Sequence, residues 1–217
     1  MIRSSAFFRL LTVFVVATLV AAVPHAQLVR AQTVKDSAPL LAKRGAHQGD
    51  VFLVRGGFNV FSRGLDSMAA KLKKRGIKAK VIGHRSSDEA VKTILKNRKR
   101  FGRKPVVLIG HSLGANAIIR MAKKLRKSGV SVTYMVTFAA TKPDPIPRNV
   151  RKATNYYFKT DGWGEPVVKV RGARANLKNI DLSKTDGVHH FNIEKNERLQ
   201  RQVIRNVLRF VRPSRAA

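Results

Sequence analysis

The segment KPVVLIGHSLGANAIIR, Lys104 to Arg120, constrains the fold more than any other part of the chain. An apolar run leads up to Gly110, Ser112 stands alone between Gly110 and Gly114, and Ala115, Ile118, Ala122 and Leu125 then recur at helical spacing. A short apolar run that ends at glycine reads as a buried strand, and the repeat after it as a helix packed along one face. The backbone therefore has to pass from strand to helix through one sharp reversal at Ser112. Side chains two positions to either side would strike the neighbouring strand and helix, and Gly110 and Gly114 remove that clash. The hydroxyl of Ser112 is left clear at the carboxyl end of a strand, where open parallel sheets receive ligands. The N–H of Leu113 opens the helix and is free to serve a developing anion.

The remaining chain alternates strand and helix. Asp50 to Val54 is a buried-strand pattern that runs into Arg55-Gly56-Gly57-Phe58. A helix with Leu65, Met68 and Leu72 on one face is expected next, stopping near Gly76. Ile77 to Gly83 alternates as a second strand. Ser86 and Glu89 have capping-box spacing ahead of a helix that carries Val91, Ile94 and Leu95 inward and ends near Gly102. Tyr134 to Ala140 and Ala153 to Asp161 are the fourth and fifth strands. A long loop then reaches His189 and His190. The last helix sets Leu199, Val203, Val207 and Phe210 on one face, with Glu194 and Glu197 near its start, and ends at Pro213. The expectation is an α/β fold: a mostly parallel sheet with helices on both faces and right-handed crossovers, a minimal core without a large cap.

The first residues carry a different pattern. Arg3 and Arg9 precede an almost unbroken apolar run from Leu10 to Val23, which is long enough for an export signal and short of a membrane span. Small residues at Val29 and Ala31 fit cleavage after Ala31, with an uncleaved anchor as the alternative. The expected organisation is a signal segment over 1–31, a linker over 32–49 and one domain over 50–217, in an exported protein of the periplasm or beyond. The chain has 217 residues, no cysteine, and a formal net charge of +32. No disulfide, thiolate metal site or cysteine nucleophile is open to it. The charge implies attraction to anionic surfaces or cell-envelope polymers. Phosphate-loop endings, metal-ligand spacing and the basic–aromatic interleaving of a nucleic-acid groove are all missing, so no cofactor or metal is expected.

Gly-x-Ser-x-Gly between a strand and a helix is the pattern of a nucleophile elbow. On the GHSLG run the chain resembles the α/β-hydrolase superfamily, in particular its compact lipase-, esterase- and thioesterase-like members, over about residues 50 to 212. The resemblance implies a serine, then an acid, then a histidine on the loop before the last helix. GVHHFNIEK, residues 187–195, occupies that place. His190 is the first choice for the base and His189 the second. Asp161, at the expected end of the fifth strand, is the first choice for the acid. Asp144 is the alternative, and Asp181 and Asp186 lie nearer the histidine loop. A second oxyanion donor is implied in RGGF, at the N–H of Gly57 or Phe58, beside that of Leu113. His84 precedes Ser112 and breaks the order, and His111 fills the variable elbow position. The activity implied is cleavage of a small or surface-presented ester or thioester through an acyl-enzyme. The alternative is a non-catalytic cationic protein of the same fold that binds anionic surfaces.

Overall fold

The computed structural model describes residues 47–57, 62–160 and 163–211. The expected signal segment, the linker up to residue 46, Phe58, Asp161 and Pro213 lie outside them. The elements run β1 (Asp50–Arg55), α1 (Gly64–Lys74), β2 (Ala79–Gly83), α2 (Ser87–Phe101), β3 (Val106–His111), α3 (Leu113–Lys127), β4 (Val132–Phe138), β5 (Val150–Tyr157), β6 (Asn176–Asp181) and α4 (Glu197–Phe210). The six strands form one sheet in the order β2-β1-β3-β4-β5-β6, with every pairing parallel.

Parallel strands covered on both faces are expected to be apolar along nearly their whole length, not at alternate positions. The central strands meet this expectation. Val51 and Leu53 of β1, Val107 and Ile109 of β3, and Tyr134, Val136 and Phe138 of β4 point to one face, where Leu65, Met68 and Leu72 of α1 and Leu199, Val203 and Val207 of α4 cover them. Phe52, Val54, Val106, Leu108 and Met135 point to the other, under Ala90, Val91 and Ile94 of α2 and Ala117, Ile118, Ala122 and Leu125 of α3. The chain is an α/β fold: a parallel sheet between two helical layers.

The strand order decides where a site can form. From β1 the chain steps outward to β2, then returns across β1 to β3 and continues the other way. The loops after β1 and β3 therefore part at the carboxyl edge and leave a crevice there. Gly56-Gly57 and Ser112 occupy those two loops.

Four expectations change. β5 begins at Val150 and ends at Tyr157, because its pairing with β4 runs from Val132↔Val150 to Phe138↔Tyr156. Asp161 is thus beyond the strand, not at its end. β4 ends at Phe138, since Ala139 turns out of line with φ 48°. A sixth strand, Asn176–Asp181, replaces part of the expected loop. Its exposed edge position asks for no apolar alternation, and Asn179 fastens it inward, accepting from Asn155 Nδ2 (2.9 Å) and Val167 N (3.0 Å). Ser86 forms no side-chain cap: a 3₁₀ turn, His84–Ser86, runs straight into α2, and the N–H of Ser87 bonds to His84 O.

Candidate active site

Ser112 sits between β3 and α3 at φ 55°, ψ −124°, a conformation that L-residues rarely adopt. Its own backbone holds it there. The Ser112 N–H donates to Phe138 O of the adjacent strand (2.9 Å), and its carbonyl accepts from Ala115 N (2.9 Å) and Asn116 N (3.2 Å). The glycines permit the fit. A Cβ on Gly110 would lie 2.5 Å from Gly114 O, and one on Gly56 would lie 3.0 Å from both His111 O and Ser112 Cβ.

His190 Nε2 lies 3.2 Å from Ser112 Oγ, and His190 Nδ1 lies 3.2 Å from Trp163 O. A carbonyl oxygen only accepts, so Nδ1 carries the hydrogen and the Nε2 lone pair faces the serine hydroxyl. That is the arrangement needed to take up a proton from Oγ. His190 is buried, with 4% exposure, and its loop braces itself. Asn192 Oδ1 accepts from His189 N (2.8 Å), Asn192 Nδ2 donates to Gly187 O (2.8 Å), and His189 O accepts the N–H groups of Asn192 and Ile193. Nothing local in the sequence marks Asn192 for this job. The His189 ring is turned outward instead, with Nδ1 accepting from Phe191 N (3.3 Å). The Trp163 carbonyl is steadied from below: Glu165 N–H donates to Ala140 O (2.8 Å), and Asn155 Nδ2 donates to Glu165 O (2.9 Å).

The acid candidates are spread out. Asp161 lies outside the described residues. Asp144 is on the surface, paired with Lys123 Nζ at 3.1 Å. Asp181 Oδ1 accepts from Ser183 N (2.9 Å), Ser183 Oγ (2.7 Å) and Lys159 N (3.3 Å); these bonds hold its carboxyl below the usual range and fasten Lys159 to the end of β6. Asp186 is exposed. Of the oxyanion candidates, Phe58 lies outside the described residues. Leu113 N–H, the first of α3, has no acceptor within the helix. Gly57 packs beside it, since a Cβ there would meet Leu113 Cδ1 at 3.6 Å.

Beneath the dyad lies a buried polar group that no local pattern in the sequence marks. His111 Nε2 donates to His190 O (2.8 Å), and His111 Nδ1 accepts from Ser62 Oγ (2.8 Å). Burial holds the His111 pKa down at about 4, with His190 and Lys195 adding repulsion against the bond to His190 O. His111 is therefore a neutral donor. Its Nε2 lies 4.0 Å from Glu194 Oε2, which is a contact of neutral and acidic groups, not an ion pair. Glu194 belongs to a 3₁₀ turn, Ile193–Lys195, ahead of α4, with its side chain fully buried and neither oxygen in hydrogen-bond geometry with a donor. Burial raises its pKa from 4.5 to about 7, against weaker opposing effects of its own N–H, the Gly64 N–H and Lys195. The folded state thus keeps a proton that the unfolded state has already released between pH 4.5 and 7. The contribution of Glu194 to stability falls as pH rises across that window and is flat above it. Glu194→Gln is expected to remove roughly 2–3 kcal/mol of that loss, read from urea unfolding of both proteins at pH 5 and pH 8. Equal pH dependence in the two would contradict it.

Neither a family model nor a curated protein matches the chain. Among solved structures, the chain is similar to the one titled "Structure of the type II thioesterase BorB from the borrelidin biosynthetic cluster", with 12% identity and a TM-score of 0.42 over 75% of this chain and 94% of that one. A likeness of that degree adds nothing to the chemistry, which stands on the geometry of Ser112 and His190.

Proposed function

We propose that the protein is an exported serine hydrolase that cleaves an ester or thioester through an acyl-enzyme. The observation that carries this reading is the 3.2 Å approach of His190 Nε2 to Ser112 Oγ, with Nδ1 turned to the side of the Trp163 carbonyl and the serine held in a strained turn. The Oγ–H proton passes to His190 Nε2 as Oγ bonds to the acyl carbon. The carbonyl electrons move to oxygen, which receives the N–H groups of Leu113 and of Gly57 or Phe58. Collapse expels the alcohol or thiol, protonated by His190. Water, deprotonated by the same nitrogen, then attacks the acyl-enzyme and frees the acid and Ser112. An apolar acyl group suits the surroundings. Four large hydrophobic side chains are exposed among the described residues, and three of them adjoin the dyad: Leu113 next to Ser112, Phe191 with its ring 5.0 Å from that of His190, and Trp163 at 5.0 Å.

The test is hydrolysis of short- and long-chain p-nitrophenyl esters and acyl-thioesters by the purified protein beside Ser112→Ala. Equal rates in the two would sink the reading.

Asp161 completes the proposed triad, as the acid that holds the imidazole tautomer and stabilises the imidazolium. The surface pairing of Asp144 with Lys123 favours this choice. Asp161→Asn is expected to lower kcat by about 10²–10⁴, and Asp144→Asn by less than about threefold. The reverse ranking would move the acid to Asp144.

The charge serves attraction to anionic envelope surfaces in this reading. It is spread over the described surface, and one cluster gathers at the end of the sheet opposite Ser112. At the amino ends of β3–β5, Arg98, Arg103, Lys104 and Arg151 line an open pocket of about 360 Å³, and among the described residues none of the four is in a salt bridge. Binding to phosphatidylglycerol vesicles is expected to exceed binding to neutral vesicles at low salt and to fade as ionic strength shortens the screening length. Equal binding to both would remove this part of the proposal.

A further inference from the structure

Two histidines that stand outside the Ser-acid-His order both end on the loop that carries the second oxyanion donor. The peptide between Gly56 and Gly57 is a single planar unit. Its C=O belongs to Gly56 and its N–H to Gly57, and in a trans peptide the two point opposite ways. His84 Nδ1 lies 3.0 Å from Gly56 O, so that nitrogen carries its hydrogen and donates. With one end of the unit tied, the direction of the other follows: the Gly57 N–H points away from His84. The same loop packs on the elbow through Gly57 beside Leu113 and Gly56 beside Ser112.

A second hold reaches this loop through its Gly56 N–H. Gly56 N–H donates to Ser62 Oγ (3.0 Å), the Ser62 hydroxyl donates to His111 Nδ1 (2.8 Å), and His111 Nε2 donates to His190 O (2.8 Å). Ser62 and His111 are each 1% exposed. Three buried bonds in series therefore join the oxyanion loop to the backbone of the base. Two consecutive glycines leave a loop with many backbone states, so its orientation has to be imposed from outside, and these side chains impose it.

We propose that His84 is a positioning residue that aims the Gly57 N–H at the oxyanion, with Ser62 and His111 holding the same loop in register with His190. The proposal rests on the hydrolase reading above. The bond accepted by Gly56 O also polarises the shared peptide and makes its N–H the stronger donor.

The experiment uses the full protein, the p-nitrophenyl ester it cleaves best, and an alkyl boronic acid, whose tetrahedral adduct on Ser112 places an oxygen in the oxyanion position. His84→Ala is expected to lower kcat by about 10- to 100-fold, a part of the about 10²–10³ lost when a donor is removed outright. KM should stay within about twofold and boronate affinity should fall by the same factor as kcat, because only the charged oxygen uses the donor. The pH dependence of kcat/KM, set by His190, should not move. His84→Asn, whose Nδ2 can occupy the place of Nδ1, should recover most of both readouts. Wild-type kcat and boronate affinity in His84→Ala overturns the proposal. So does equal loss in His84→Ala and His84→Asn with matching falls in melting temperature, which marks a packing role only. If His84→Ala does not fold, Ser62→Ala decides, with a loss of about 3- to 10-fold expected in the same two readouts and unchanged values overturning the proposal. If wild type and Ser112→Ala cleave equally little, the hydrolase reading fails and takes the proposal with it. A failure of the proposal alone leaves wild-type, Ser112-dependent cleavage intact.

Discussion

Ser112→Ala is expected to lower kcat by about 10⁴–10⁶, equivalent to roughly 5–8 kcal/mol of barrier, while leaving the protein folded. The size follows from the serine's position. Its Oγ is the protein atom that bonds to the acyl carbon in the proposed reaction, and with it gone His190 Nε2 has nothing to deprotonate except water in a poorer position. The fold survives because the bonds that hold the turn are made by the backbone of residue 112, to Phe138 O and from Ala115 N and Asn116 N, and alanine keeps them. Ser112→Gly sharpens the point. At φ 55°, ψ −124° a residue with a Cβ stores about 1–3 kcal/mol of strain, and glycine relieves it at a cost of about 0.5–1 kcal/mol in chain entropy. Ser112→Gly is therefore expected to be more stable than wild type by about 1 kcal/mol and as inactive as Ser112→Ala. Ester kinetics and urea unfolding read the two effects separately. A fully active Ser112→Ala, or a Ser112→Gly less stable than wild type, contradicts this account of the turn.

What the sequence makes legible here divides by the range of the forces involved. β1, β3 and β4 show as apolar runs because both their faces are buried, and burial on both faces leaves little room for polar residues. The helix faces show because Leu65, Met68 and Leu72, or Val203 and Val207, must recur where the sheet lies. β6 does not show. Its exposed edge position needs few apolar residues, and what fixes it is an amide ladder between Asn179, Asn155 and the Val167 backbone, which has no period. The nearness of Ser112 and His190 is carried by the order of motifs alone, since 78 residues separate them. The layer beneath them is written still more faintly. Glu194 has the sequence position of a carboxylate that favours a helix start, yet its side chain is buried beside His111 without a donor. His84 breaks the expected order and His111 fills a variable position, yet each makes a bond that bears on the site. Such bonds depend on where three loops meet, which the strand order determines and no single segment records.

Gly114→Ala is expected to cost more than about 4 kcal/mol, a large part of the about 5–15 kcal/mol that holds a domain together. Chirality fixes where the new Cβ would go. It would fall inside the carbonyl oxygen of Val54, 2.7 Å from Val54 C and 2.7 Å from Arg55 O. All of these are backbone atoms, so no rotamer change relieves the clash. β1 cannot yield, because it is paired on both sides, Val54 with Ile82 of β2 and with Gly110 of β3. The remaining escape is for α3 to lift, which opens a gap over Ala115, Ala117 and Ile118, all fully buried. Lifting α3 also moves the Leu113 N–H away from the Gly57 loop, so any folded fraction should be a poor catalyst. Gly129→Ala is the control. Gly129 has φ +65° and open space around its missing Cβ, and should lose only about 1–2 kcal/mol from the left-handed backbone. Urea unfolding of the two variants separates crowding from backbone strain. If Gly114→Ala came within about 1 kcal/mol of Gly129→Ala, close packing of the elbow against β1 would not be the reason for glycine at position 114.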